Sequence, residues 1–142
     1  MNYIVFGGSR GVGASVVGVL VSQGHSVWSV SRSGEAADGA TSIAWDAISD
    51  EVIQGLPAEV HGVVYAPGSI NLKPFRGLKL DEFRADFEVN AMGAVKALQS
   101  CLPGMKSAGK ASVVLFSTVA VQTGMPFHAS IAMAKGAIEG LT

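Results

Sequence analysis

Cysteine, charge and long apolar runs are all scarce in this chain. Cys101 is the one cysteine among 142 residues. It cannot close an internal disulfide, and no cluster of residues has the spacing of a metal site. Its neighbours Ala97, Leu98 and Leu102 mark an apolar helical stretch, so a buried, inert thiol is expected rather than a reactive one. No apolar run reaches the roughly 18 residues that a membrane-spanning helix needs. The segment Met1–Phe6 carries no basic residue and meets Gly7 too early for a signal peptide. The expected setting is therefore a reducing cytoplasm. Charged residues make up 15% of the chain and the net charge is -1, which argues against nucleic-acid and anionic-membrane partners.

Apolar residues are abundant by contrast, at 49%, with a mean hydropathy of +0.39. A core buried from two sides, as in a parallel sheet covered by helices, accounts for that richness; an interface could account for part of it. Short β-rich runs alternate with helical patterns. Strands are expected at 3–6, 26–30, 42–45, 62–66 and 112–116. Helices are expected at 12–23, stopped by Gly24, and at 82–102, capped by Asp81 and ended by Pro103. A short helix is expected at 49–56 and a last one from Ala129. Trp28 and Trp45 suit sheet packing, and His25 and His61 fall just before strands, where surface positions are expected. This alternation implies one α/β domain over 1–142, a Rossmann-type doubly wound parallel sheet of order 3-2-1-4-5. Leu141-Thr142 falls inside a helical pattern, so the expected domain is incomplete at its C-terminal end.

The most specific motif lies at the start. Gly7-Gly8-Ser9-Arg10-Gly11-Val12-Gly13 follows the first strand and opens the first helix. Gly7 permits the sharp turn, Gly11 leaves room for a pyrophosphate against backbone N–H groups, and Gly13 lets helix and strand approach closely. The helix N-terminus then presents its positive end to phosphate. The competing reading is an ordinary glycine-rich turn, which the strand-turn-helix context disfavours.

The spacing Gly-x-x-x-Gly-x-Gly resembles that of the short-chain dehydrogenase/reductase family, and further likenesses follow in order along the whole chain. Asp46 resembles the aspartate that contacts adenine after the third strand. Tyr65-Ala66-Pro67-Gly68 stands in degraded form where the family has Asn-Asn-Ala-Gly. Asn90 resembles the mid-helix asparagine of the catalytic tetrad, and Ser117-Thr118 the serine region. Lys135, in Ala134-Lys135-Gly136-Ala137, matches the catalytic lysine. The resemblance implies an oxidoreductase acting on a small molecule. Its coenzyme contacts would come from Gly7, Ser9, Arg10, Gly11, Val12, Gly13, Ser31, Arg32, Asp46, Ala66, Pro67, Gly68, Asn90 and Lys135.

NAD-specific members place an acid at the end of the second strand. Ser31 stands there, followed by Arg32 and Ser33, with no carboxylate expected nearby. Arg32 and Arg10 could grip a 2′-phosphate through planar donor forks, so NADP(H) is expected over NAD(H). Either arginine could instead be an ordinary solvated side chain.

The catalytic set has a gap. The family's mechanism needs a tyrosine four residues before the lysine, and Ile131 occupies that place. A positioned general acid contributes roughly 10²–10⁴-fold to rate, so its loss is consequential. Thr118, with Ser117 beside it, could still orient a carbonyl oxygen. His128 lies seven residues before Lys135, a spacing that the enoyl-reductase branch uses for its Tyr/Lys pair, and could supply a proton. The plainer readings are a loop-end histidine, a helix N-cap at Ser130, a helix-bending Asn90 and a surface Lys135. Two functions compete: an NADP(H)-dependent oxidoreductase of carbonyl or conjugated carbonyl substrates, and a catalytically impaired NADP(H)-binding or sensor protein. Ile131 favours the second, while Asn90 and Lys135 favour the first. Apolar residues between Phe83 and Leu102 suit a helix-paired homo-oligomer, although helix pairing within one chain could bury them equally well.

Overall fold

The computed structural model describes all residues, Met1–Thr142. Five parallel strands form one sheet in the order β3-β2-β1-β4-β5: β1 (Asn2–Phe6), β2 (Ser26–Ser31), β3 (Thr41–Ala44), β4 (Gly62–Tyr65) and β5 (Ser112–Leu115). This is the topology expected from the alternating pattern. β1 lies at the centre, pairing Ile4 with Trp28 on one side and with Val63 on the other. Chain order reverses between β1 and β4. That crevice, at the carboxyl ends of the strands, is where open α/β sheets take their ligands.

Side chains of successive strand residues point to opposite faces, so each strand feeds two cores. Ile4, Phe6, Val63 and Tyr65 join the larger cluster with Ala94, Ala97, Cys101 and Ile138. These come from helices α3 (Gly93–Ala108) and α5 (Ala129–Leu141). Val5, Val27 and Val64 meet Val17 of α1 (Gly11–Ser22) on the opposite face. Trp45 packs edge-on against Phe6 with ring centroids 5.6 Å apart. Burial pushes the Cys101 thiol up to about 12, so its nucleophilic thiolate is suppressed. No helix is long and apolar enough to cross a membrane.

Several boundaries differ from the sequence expectation, each for a local reason. Residues 49–56 form an irregular segment that bends at Glu51 and Gly55, not a helix. Asp46 Oδ1 accepts the Ile48 N–H at 3.3 Å, and Ser49 Oγ accepts the Glu51 N–H at 3.0 Å. Short polar side chains thereby capture the amides that a helix would use. Helix α2 (Leu80–Phe87) begins after Lys79, not Asp81, because Glu82 reaches back to accept the Lys79 N–H at 3.0 Å. The helix continues past Pro103 to Ala108 and stops at Gly109, whose φ is +74°. Packing overrides proline there: buried Cys101 and Gly104 flank it, and the Gly104 carbonyl accepts the Val60 N–H at 3.0 Å. Between α2 and α3 the chain makes a π-turn, Glu88–Met92. A short helix, α4 (Ala120–Thr123), interrupts the loop after β5. His61 is half-buried and accepts the Asn2 N–H at Nδ1, 3.1 Å away, while half-buried His25 lies against Tyr3. Both tie down the strand bases, far from the ligand-binding end.

Candidate functional site

The crevice is walled first by the glycine turn. Gly7 has φ +75° and its N–H donates to the Val30 carbonyl at 2.7 Å. A Cβ on Gly7 would meet the Pro67 nitrogen at 3.0 Å, so the loops after β1 and β4 touch across the switch point. A Cβ at Gly13 would strike the Gly7 carbonyl oxygen, which explains the residue's smallness by the close approach of helix and turn. Gly11 differs: its φ is +57° and nothing lies within 4 Å of a Cβ built there. Ser9, Arg10, Gly11 and Val12 are all exposed. Arg10 occupies the N-cap of α1 without a side-chain cap bond, and the first two helix residues, Gly11 and Val12, are exposed. A turn of this form fits a pyrophosphate.

Ser31, at the end of β2, is buried, and its hydroxyl binds the Ser33 hydroxyl and the Glu35 carbonyl oxygen. Arg10 and Arg32 are exposed and enter no ion pair. One expectation needs correction here. A carboxylate does stand close by: Ser33 Oγ donates to Glu35 Oε2 at 3.4 Å. The tight turn at Gly34, φ +68°, folds Glu35 back toward Ser33. Linear spacing hid that return.

The opposite wall comes from the π-turn, the loop after β5 and α5. Asn90 is fully buried, and its Nδ2 donates to the Asp86 carbonyl at 2.8 Å and the Ser69 carbonyl at 3.1 Å. Its Oδ1 has no partner. A Cβ on Gly68 would lie 3.1 Å from that oxygen. The π-turn packs against α5, which carries Lys135. Lys135 is 9% exposed and forms no ion pair. Burial pulls its pKa below the usual lysine value. A partly desolvated ammonium without a protein partner is available to an external acceptor.

Ser117 and Thr118 diverge. The Ser117 hydroxyl donates to Glu139 on α5. Thr118 Oγ1 accepts the Ala120 N–H at 3.3 Å and keeps its own proton free. Ile131 is buried, 5% exposed. His128 precedes α5, and its Nδ1–H donates to the Pro126 carbonyl at 2.6 Å, which leaves Nε2 for another partner. The residue before it, Phe127, holds φ +65°, a costly conformation for a side-chain-bearing residue. Ser130 is not the helix N-cap: α5 starts after His128, and Ser130 Oγ donates to the Asn71 carbonyl at 3.4 Å.

That contact belongs to a group that the sequence reading missed. Asp86 is fully buried, and its Oδ1 accepts Ser69 Oγ at 2.7 Å and Asn71 Nδ2 at 3.1 Å. Ser69, Asn71, Asp86, Asn90 and Ser130 thus join the loop after β4 to α2 and α5. A carboxylate four residues before Asn90, on a helix face otherwise turned inward, was the available signal.

The family profile described as short chain dehydrogenase matches residues 36–142. The chain belongs to the short chain dehydrogenase family. It is 29% identical to a hydroxynaphthalene reductase of Aspergillus fumigatus, over 98% of this chain and 57% of that protein. It is 26% identical to a 3-alpha-(or 20-beta)-hydroxysteroid dehydrogenase of Mycobacterium tuberculosis, over 98% of this chain and 59% of that one. The chain therefore spans under two thirds of the length of these relatives. Among solved structures, the TT0495 protein of Thermus thermophilus superposes with a TM-score of 0.87 at 30% identity, covering 99% of this chain and 67% of that one. A short chain dehydrogenase/reductase family protein superposes at 0.90 and 23% identity, over 100% of this chain and 65% of that one, a likeness of fold. Members of this family use a nicotinamide dinucleotide, and the glycine turn above has the form that such a coenzyme requires.

Proposed function

We propose that this chain is the coenzyme-binding portion, residues 1–142, of an NADP(H)-dependent oxidoreductase whose small-molecule substrate is a carbonyl, an alcohol or a conjugated carbonyl. The observation that carries this reading is the glycine turn: exposed residues Ser9–Val12 at the N-terminus of α1, with open space beside Gly11, at the switch point of a parallel sheet. Bound there, the coenzyme supplies or takes a hydride. Gly7, Ser9, Gly11, Val12 and Gly13 line the pyrophosphate, Asp46 faces the adenine, and Ala66, Pro67 and Gly68 floor the crevice. Ser31 closes the ribose end of the pocket.

Arg32 and Arg10 grip the 2′-phosphate; neither is committed to a protein carboxylate. Glu35, beside Ser33, opposes that preference at longer range. Lys135 holds the ribose hydroxyls, the acceptors that its unpaired ammonium lacks. Asn90 offers its unpartnered Oδ1 to a water in a relay with Lys135. Thr118 donates its free proton to the substrate oxygen, whereas Ser117 is turned to Glu139. His128 Nε2, when protonated, serves as the acid in place of tyrosine; with Nδ1 fixed on Pro126, the ring orientation is set.

Isothermal titration of wild type and of Arg32→Ala and Arg10→Ala tests this reading. Wild type is expected to bind NADPH more tightly than NADH, and each variant to lose NADPH affinity with little change for NADH. Equal affinities in wild type would remove the NADP(H) assignment. A second reading rests on Ile131. A buried aliphatic side chain at the tyrosine position favours a protein that binds NADP(H) and turns over slowly or not at all. Exposed Leu80 on α2, Met92 in the π-turn, Leu102 on α3 and Met133 on α5 support helix pairing between copies, and a cytoplasmic location accords with one buried thiol.

A further inference from the structure

We propose that Tyr65 is a positioning residue for Asn90, acting through the backbone of the π-turn. This rests on the reading of Asn90 as the relay residue. Tyr65 ends β4 at the switch point and is 1% exposed. Its hydroxyl donates to the Val89 carbonyl at 2.5 Å. Val89 is the residue before Asn90, and the reason it accepts a side chain lies in the turn itself. The Gly93 N–H, which in an α-helix would serve Val89, goes to the Glu88 carbonyl five residues back. That shift takes from Val89 its ordinary partner in a largely buried place, and the Tyr65 hydroxyl fills the vacancy. Asn90 answers the same irregularity on the other side: its Nδ2 takes the Asp86 carbonyl, four residues back.

The fit around the tyrosine is close. A Cβ on Gly93 would collide with the Tyr65 hydroxyl, and would meet the Ala47 Cβ at 2.8 Å. Tyrosine at 65 and glycine at 93 are therefore a matched pair. Reversion of the π-turn to a regular helix would rotate Asn90 relative to α3 by about one residue, or 100°. It would also return the Gly93 amide to Val89. The Tyr65 hydroxyl opposes that reversion because it already occupies the Val89 carbonyl. Lys96, paired with Glu88 at 2.8 Å and Asp50 at 2.9 Å, braces the start of the turn from outside. Tyr65 reaches it from the sheet through its hydroxyl, one residue before the loop whose Pro67 abuts Gly7. Coenzyme wall and relay residue thus share one anchor.

Tyr65→Phe keeps the ring and removes the hydroxyl. In the free protein, hydrogen exchange at the Ala91, Met92 and Gly93 amides is expected to quicken about tenfold, as one lost hydrogen bond to a buried carbonyl implies. The Asn90 side-chain amide resonances shift, while Ile4 and Val5 keep their protection. Unchanged exchange in the turn with unmoved Asn90 signals overturns the proposal; so does a loss of protection spread evenly over the sheet. Gly93→Ala displaces the same hydroxyl without deleting it, and is expected to give the same local signature should Tyr65→Phe fold poorly. In NADPH titrations, Tyr65→Phe weakens binding in wild type but adds nothing in an Asn90→Ala background. Additive losses overturn the coupling. Should wild type bind no NADPH, the functional reading fails, and the exchange experiment still decides the role of Tyr65.

Discussion

The two walls of the crevice are built from different materials. The glycine-turn wall uses backbone amides, and its few essential residues are defined by what a side chain would obstruct. The α5 wall uses side-chain chemistry, and there the proposed alignment puts buried Ile131 at the position of the family's proton donor. The contrast teaches that binding and turnover are separately encoded in this fold. A backbone site persists as long as the turn can form, whereas the loss of one positioned general acid costs roughly 10²–10⁴-fold in rate.

The largest effect should come from repairing the weaker wall. Ile131→Tyr is expected to raise NADPH-dependent reduction of a panel of ketones, aldehydes and enones by roughly 10²–10⁴-fold, followed by coenzyme absorbance. No gain in a folded variant that still binds NADPH would mean that the α5 wall is deficient beyond Ile131. Damaging the stronger wall comes next. Gly13→Ala puts a Cβ onto the Gly7 carbonyl and is expected to cost about 1–3 kcal/mol of stability together with most of the coenzyme affinity. Thermal unfolding and calorimetry check the two parts.

Lys135→Met should separate stability from function. Removing a partly desolvated, unpaired ammonium is expected to stabilise the free protein by about 1 kcal/mol or less while weakening coenzyme binding. The pH dependence supplies a control. Burial sets the folded pKa of Lys135 below its ordinary 10.5, so between those values the unfolded chain carries more protons than the folded one. Stability from this group therefore rises with pH across the window that ends near 10.5 and is diminished at lower pH. That increment should vanish in Lys135→Met, as read by denaturant unfolding at a series of pH values. The smallest effect concerns neither wall. Ser29 Oγ is buried without a partner behind the turn, and a Cβ on Gly8 would press on it. Ser29→Ala is expected to change stability by about 1 kcal/mol or less, toward greater stability.

The sheet order was legible because period-2 apolar runs, glycine stops and helix patterns alternate without interruption, and parallel crossovers leave few topologies. The glycine turn was legible because its requirement is the absence of a side chain. What escaped was tertiary. Proline at 103 was outweighed by packing of Cys101 and Gly104. Glu35 was returned to Ser33 by a turn. The π-turn was invisible because its irregular backbone is stabilised by Tyr65, which is 24 residues before Val89. Ser117 and Thr118, adjacent in sequence, are distinguished by what each hydroxyl binds.

Amide chemical-shift mapping of the labelled chain with NADP+ tests the account most directly. The resonances expected to move first and furthest are the backbone N–H groups of Gly8, Ser9, Arg10, Gly11 and Val12, followed by those near Ser31 and Arg32. No shifts at millimolar coenzyme, or shifts confined to another face of the sheet, would contradict it.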